Sequence, residues 1–381
     1  MKKIIGIDGN EANIERRVGV NQYAYELLKS IHRLQDEWKN KYRIVVYLKS
    51  IPLADMPKET ENFEYKVLSG RGLWIITKLM PNLFFDSPKP DIFFTPSHYL
   101  PPFAPIPMVC SIMDLGYLKF SEHFKKYDFW QLKFWTARSI SISKNIITIS
   151  GSTAKDIVRH YPFSSNKIVT VPLGYDKERF NCNISPHDVR RVKKRYGINK
   201  NYILFLSTLK PSKNIEGLLE AFSLIYNLQF TIYNDIELVI AGKKGWLYDS
   251  IFQKAKDLKL TKRVIFTDFV PEEDKPALIK GARVFVLPSF WEGFGIDVLS
   301  AMACGVPVVV SNVASLPEVV GDDGMLIDPS KPASIATAIK KILSMDKNEY
   351  NKFVEAGLVQ TAKFSWEKTA QKTLEVLGSA I

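Results

Sequence analysis

Short apolar runs alternate with segments of helical period along this chain, and they do so in two successive series. Few folds tolerate that pattern. Strands buried on both faces read as near-continuous apolar runs, and the helices that cover them return the chain for another parallel strand. The first series has strand-like runs at 3–8, 42–48, 91–95, 108–113, 145–150 and 167–171, with helices near 22–34, 127–143 and 152–161. The second has strands at 202–206, 237–241, 264–267, 284–287 and 306–310. Its helices fall near 214–226, 249–258 and 273–281, with one starting near Val298 and a short turn at 317–320. Two further helices, near 332–345 and 366–377, close the chain. Residues 172–186 hold Pro, Gly and Asn without period and mark a domain junction. The pattern predicts two doubly wound α/β domains facing each other across a cleft, with ligands at the C-terminal ends of the strands.

Composition narrows the function classes. The 381 residues are 46% hydrophobic, which excludes disorder as the main state, and the 20 Gly and 21 Pro follow no period. Three cysteines, Cys110, Cys182 and Cys304, form no CxxC or Cys/His cluster, so neither a disulfide framework nor a metal site is expected. A reducing, cytoplasmic setting fits them. The basic start is too short for a signal peptide, and no apolar run reaches the ~18 residues of a membrane span. Residues 73–85 read as an apolar loop able to touch a membrane surface. The formal charge is +12, and residues 1–172 carry 24 basic against 16 acidic side chains. That excess favours anionic partners, although a solvated basic surface is its commonest meaning. No nucleic-acid module is present. Gly6 and Gly9 lack the GxGxxG spacing and no P-loop occurs, which argues against a standard NAD enzyme or kinase.

The stretch Pro288–Pro307, PSFWEGFGIDVLSAMACGVP, is the richest in chemistry. It leaves a buried strand, passes Gly293, Phe294 and Gly295, and enters a helix. Glycines let backbone N–H groups approach a ligand, and a helix N-terminus favours negative charge. Glu292 can accept hydrogen bonds from sugar hydroxyls. The plain alternative is an ordinary strand–helix turn.

This stretch resembles family 4 retaining glycosyltransferases of the GT-B fold. The likeness runs through Glu292-Gly-Phe-Gly-Ile, Ala301-Met-Ala-Cys-Gly-Val-Pro-Val-Val, Ser311-Asn and Ser315-Leu-Pro-Glu318-Val. Further similar segments are Leu209-Lys-Pro-Ser-Lys213-Asn214, Arg17-Val-Gly19-Val-Asn-Gln22-Tyr23, Lys167-Ile-Val-Thr-Val-Pro-Leu-Gly174, and Asp114-Leu with downstream 120–124. The resemblance implies two facing Rossmann-like domains with an interdomain cleft: an acceptor domain at 1–172, a donor domain at 173–363, and a final helix at 364–381. In the family that helix packs back on the first domain, with Ser365 a natural cap and Trp366 and Leu374 its anchors. The implied reaction moves a hexose from a nucleoside-diphosphate sugar to a saccharide or lipid-linked acceptor, for polysaccharide assembly. Lys213, with Lys210 or Ser212, would hold the diphosphate, and Glu292 the donor sugar. Phe294 and Gly295 would offer N–H groups, with Leu299 and Ser300 beside the ribose. No metal and no cofactor are expected, because no DxD-type cluster is present. The physics agrees: negative charge builds on the leaving diphosphate and needs cations or N–H dipoles.

Four positions depart from the family pattern. Ser300 stands where a second Glu is usual, Met113 where a His is usual, Ser212 where an Arg is common, and Ser207 where a Gly is common. These changes motivate the competing reading of a non-catalytic, glycosyltransferase-like binding subunit; a sugar-nucleotide epimerase is weaker. On the acceptor side, Gly19 lets the first helix start close to a ligand or is a simple turn residue, with Asn21 beside it. His98 could replace the missing imidazole or be structural, and Asp114 could face a ligand or cap a turn. Residues 117–138 mix aromatic and basic side chains. They suit an anionic membrane surface at the inner face, or a core helix with a solvated basic face, which is the more economical reading.

Overall fold

The apolar runs fold into two all-parallel sheets, one in each half of the chain. The computed structural model describes residues 2–70, 72–121, 125–226 and 235–381. It divides into one unit of Met1–Gly174 with Ser365–Ile381, and a second of Tyr175–Phe364.

Along the first unit run β1 (Lys3–Asp8), α1 (Val20–Arg33), α2 (Gln35–Trp38), β2 (Tyr42–Leu48), β3 (Phe63–Val67), α3 (Met80–Phe85), β4 (Ile92–Thr95), β5 (Met108–Ile112), α4 (Gly116–Lys119), α5 (Lys126–Ile142), β6 (Asn145–Thr148), α6 (Gly151–His160) and β7 (Ile168–Thr170). Its sheet has the order β3-β2-β1-β4-β5-β6-β7, parallel throughout. The order reverses between β1 and β4, and open sheets of this kind bind ligands at that point. Residues 122–124 of the segment likened to the family lie outside the described residues.

The second unit holds α7 (Pro186–Arg195), β8 (Asn201–Leu206), α8 (Ile215–Tyr226), β9 (Ile236–Ala241), α9 (Asp249–Asp257), β10 (Val264–Asp268), α10 (Lys275–Lys280), β11 (Val284–Leu287), α11 (Ile296–Ala303), β12 (Val308–Ser311), α12 (Leu316–Val320), β13 (Met325–Ile327), α13 (Pro332–Leu343) and α14 (Lys347–Thr361). The sheet order is β10-β9-β8-β11-β12-β13, again parallel, with the reversal between β8 and β11. Every residue of β9 is buried, Glu237 included. That carboxylate is satisfied by the backbone N–H groups of Asn199 and Lys200 at 3.0 and 3.2 Å. Asp274 is fully buried and accepts from Arg191 at 2.9 Å, Arg195 at 2.7 Å and the Tyr196 hydroxyl at 3.0 Å, which ties α7 to α10.

Several elements differ from the sequence expectation. Residues 73–85 are not a loop: a wide helical turn at Ile75–Leu79 runs straight into α3, and Pro81, which has no N–H to donate, directly follows that widened turn. The closing helices are three, because α14 lies between the two expected. It starts on a capping box in which Asp346 accepts from the backbone of Asn348 and Glu349, and Glu349 from Asp346. Strands β3 and β13 and helix α7 were not expected either.

The last helix, α15 (Trp366–Ser379), belongs to the first unit. Ser365 caps it by accepting from the Lys368 N–H at 3.1 Å. Trp366 and Leu374 are buried, with the Trp366 ring 6.3 Å from that of Tyr23 on α1. Thr369 donates to the Pro172 carbonyl at 2.8 Å. Gly174 passes so close that a Cβ there would lie 2.1 Å from the Trp366 nitrogen. Gly174→Ala must push these backbones apart, at about 2–3 kcal/mol. We expect a melting midpoint lowered by roughly 5–10 °C in calorimetry, and an unchanged midpoint would refute the close packing.

Candidate functional site

In the second unit, two loops leave the sheet on either side of the reversal. After β8 the chain runs 207–214, with a tight 3-10 turn at Pro211–Lys213. Asn214 then adopts a left-handed conformation, φ 53°, before α8 begins. Its side-chain amide donates to the Pro329 carbonyl at 2.7 Å. After β11 the chain runs 288–295 into α11. The Phe290 N–H donates to the Ser212 carbonyl at 2.9 Å, so the loops are stitched through their backbones.

The stitch continues through side chains. The Lys213 ammonium pairs with Glu292 Oε1, and their side chains are only 11% and 12% exposed. Ser289 Oγ donates to the same Oε1 at 2.7 Å. Ser315, at the start of α12, places its hydroxyl 2.8 Å from the Glu292 carbonyl and 3.0 Å from that of Phe294. A charge buried this far is tolerable only with partners, so each of the two groups fixes the other. The two residues stand 79 positions apart in sequence and meet because β8 and β11 are neighbours in the sheet.

Beyond Glu292 the loop carries a run of backbone donors. Among the described residues, no acceptor is present for the backbone N–H groups of residues 293–297. They form the entrance to α11, where the helix dipole adds positive potential. Gly295 is indispensable, because its φ is 102° and a Cβ would meet Leu316 at 2.9 Å. The Phe294 ring is buried against Phe364, at 5.8 Å between centroids. The arrangement can hold an anion on N–H dipoles and one ammonium, with a carboxylate beside it for hydroxyl groups.

The other donor-side residues are placed as follows. Lys210 lies on the same loop, 5.1 Å over the Trp246 ring. Ser212 contributes its carbonyl to the stitch. Leu299 and Ser300 are buried on α11. Sequence reasoning assigned no role to Ser289, Ser315 or Asp297. Asp297 occupies the first turn of α11, one turn before Ser300. Burial raises its pKa, while Lys275 and Lys213 pull it down. The signal available was position alone: small polar residues at the C-terminal ends of adjacent parallel strands.

In the first unit, the loops after β1, β4 and β5 leave the same edge of that sheet. Gly19 has φ 55° and opens α1. Asn21 donates to the Glu11 carboxylate. Asp8, at the end of β1, is buried and accepts from Asn10, and desolvation pushes its pKa up to about 6. His98 follows β4; burial lowers its pKa to about 4, so the ring is neutral at pH 7, and its Nε2 is buried without a hydrogen-bond partner. Met113 follows β5 and its carbonyl accepts from Thr153 at 3.0 Å. Asp114 accepts from the Gly116 N–H at 2.7 Å, the turn-capping arrangement. Among the described residues no cluster of His, Cys, Asp or Glu could hold a metal ion, and no helix is long and apolar enough to cross a membrane.

The Lys213–Glu292 pair yields a stability prediction. Lys213→Ala and Glu292→Ala should each cost about 3 kcal/mol in urea unfolding, because each leaves a buried charge alone. The double variant should cost at least about 1 kcal/mol less than the sum. Strict additivity would show that the two groups do not interact in solution.

Comparison with known proteins adds sequence and fold relatives. A family profile described as "Glycosyl transferases group 1" matches residues 188–359. The O-antigen chain mannosyltransferase B of Escherichia coli is 33% identical over 288 residues, covering 75% of this chain and 74% of that protein. The serotype-specific mannosyltransferase WbdA of Escherichia coli is 32% identical over 232 residues, or 60% of this chain; the match spans only 28% of that longer protein. Among solved structures, Anabaena Alr3699/HepE in complex with UDP and glucose aligns over 100% of both chains with a TM-score of 0.73 at 19% identity. WaaG, a glycosyltransferase involved in lipopolysaccharide biosynthesis, aligns over 98% of this chain and 99% of its own with a TM-score of 0.70 at 14% identity. The architecture is that of the GT-B fold, two Rossmann-like domains each built on a parallel sheet.

Proposed function

This chain belongs to the group 1 glycosyl transferases, and from that premise we propose that it is a retaining, metal-independent hexosyltransferase of family 4. Its donor is a nucleoside-diphosphate sugar, and its acceptor a saccharide or lipid-linked saccharide in cell-surface polysaccharide assembly at the cytoplasmic side. The names of its sequence relatives favour mannose as the sugar. The observation that carries the reading is the buried Lys213–Glu292 pair beside the free N–H groups of residues 293–297.

The N–H groups and Lys213 receive the diphosphate, with Lys210 at the outer side of the same loop. As the bond between the anomeric carbon and the phosphate oxygen breaks, charge grows on the phosphate and these fixed donors stabilise it. Glu292, already oriented by Ser289, accepts hydrogen bonds from donor-sugar hydroxyls. The acceptor oxygen attacks the same face that the phosphate leaves, and its proton passes to the departing phosphate oxygen. No protein nucleophile is required, so the replacements at Met113 and Ser212 leave the chemistry possible. On α11, Asp297 supplies the carboxylate that Ser300 lacks and takes the ribose hydroxyls. The loops carrying Gly19, Asn21, His98, Met113 and Asp114 contribute acceptor recognition. A binding-only subunit has no need of a buried ion pair aligned with an anion cradle, which favours the enzyme.

The test is calorimetric titration with UDP-, GDP-, dTDP- and ADP-hexoses, with and without EDTA. One nucleotide should bind equally in both conditions, and at 100 times its Kd it should add about 2.7 kcal/mol of stability. Lys213→Ala should weaken that binding at least tenfold, and Asp297→Asn several-fold. Proton NMR of the product should show the anomeric configuration of the donor. Binding to none of these donors, or an inverted product, contradicts the proposal.

A further inference from the structure

Helix α5 is apolar on two opposite sides. Its inward side is complete: Thr136, Ser139 and Ile140 are buried, and Phe129, Leu132 and Ile142 pack on the core of the first unit. Its outward side carries a second apolar row. Tyr127, Trp130 and Phe134 are 77%, 61% and 65% exposed and follow one another at spacings of three and four, which places them on one face. Arg138, a turn further on, extends the row sideways, because its guanidinium lies 5.0 Å over the ring of Phe103, itself 63% exposed. The face therefore spans about 16 Å of helix. The economical sequence reading, a core helix with a solvated basic face, describes the inward side and the lysines but leaves the exposed aromatic row unaccounted for.

The charges around this face are predominantly cationic. Lys126 and Lys133 flank one side, and Lys133 sits 5.0 Å over the Trp130 ring. Neither has a carboxylate within ion-pair distance among the described residues. Asp128 is the one carboxylate on α5 and lies on the other flank. The surrounding half of the chain is basic, with 24 Lys and Arg against 16 Asp and Glu in residues 1–172. Cores of protein–protein interfaces are depleted in lysine, whereas tryptophan and tyrosine flanked by lysine suit the headgroup level of a bilayer. Long basic side chains reach anionic phosphates while their stems cover the rings.

We propose that the exposed aromatic face of α5, edged by Lys126, Lys133 and Arg138, docks the protein on the surface of an anionic phospholipid bilayer. It lies along the surface without spanning it, with Trp130 and Phe134 as the inserted anchors. It is independent of the donor site, since every residue involved belongs to the first unit.

Cosedimentation with vesicles of 30 mol% phosphatidylglycerol in phosphatidylcholine, against vesicles of phosphatidylcholine alone, tests this on the full chain. Wild-type protein should partition onto the anionic vesicles at least tenfold more strongly, with a blue shift of tryptophan emission. Trp130→Ala with Phe134→Ala should weaken partition at least tenfold while leaving the melting midpoint and nucleotide-sugar affinity unchanged. Lys126→Glu with Lys133→Glu, fully surface substitutions, should abolish the preference for anionic lipid. Wild-type protein that stays in the supernatant with both vesicles overturns the proposal and leaves the face to a protein partner. Variants that bind like wild type overturn it as well. Vesicle binding without any nucleotide-sugar binding would strike the transfer reading alone.

Discussion

The buried pair between Lys213 and Glu292 is the constraint on which the arrangement of the second unit's two loops depends. It fixes two loops that come from strands far apart in sequence but adjacent in the sheet. Neither charge tolerates isolation at that depth, so the loops are held in one relation to each other. The backbone bond from Phe290 to Ser212 and the hydroxyls of Ser289 and Ser315 complete the clamp. With the loops fixed, the N–H groups that open α11 are presented together. An anion received there would meet donors already in place, which is the advantage of preorganised dipoles.

The parallel sheet explains why the clamp lies where it does. Strand order reverses between β8 and β11, and the loops on either side of a reversal diverge to leave a crevice. The first unit repeats the arrangement between β1 and β4, and its sequence candidates gather at the same edge of that sheet. Those candidates are not equivalent. Asp114 is occupied with a backbone turn, whereas His98 retains a buried ring nitrogen with no partner. A neutral imidazole with a free nitrogen can still make a hydrogen bond, whereas a capped carboxylate is already engaged.

Much of this was legible in the sequence, and the omissions have physical causes. The central strands were clear because burial on both faces makes them uniformly apolar. Strands β3 and β13 lie at the sheet edges, where one side is open and the runs FEYKV and MLI are short or polar. Helix α14 buries Gly357, Gln360 and Thr361, a small and polar face that leaves no apolar stripe to detect. Helix α7 buries only Val192 and is held by Asp274 through arginines, a long-range ion network that periodicity does not register. In the site, the glycine-rich loop and Lys213 were visible as local motifs. The supporting serines and Asp297 were not, because their value arises only when β8, β11 and α12 come together.

The central claim is that the loops at 207–214 and 288–297 form one anion-binding site. Hydrogen–deuterium exchange with and without a bound nucleoside-diphosphate sugar tests it most directly. The account predicts slowed exchange in both loops together, strongest at residues 293–297. Unchanged exchange in both loops, or slowing limited to one of them, would contradict it.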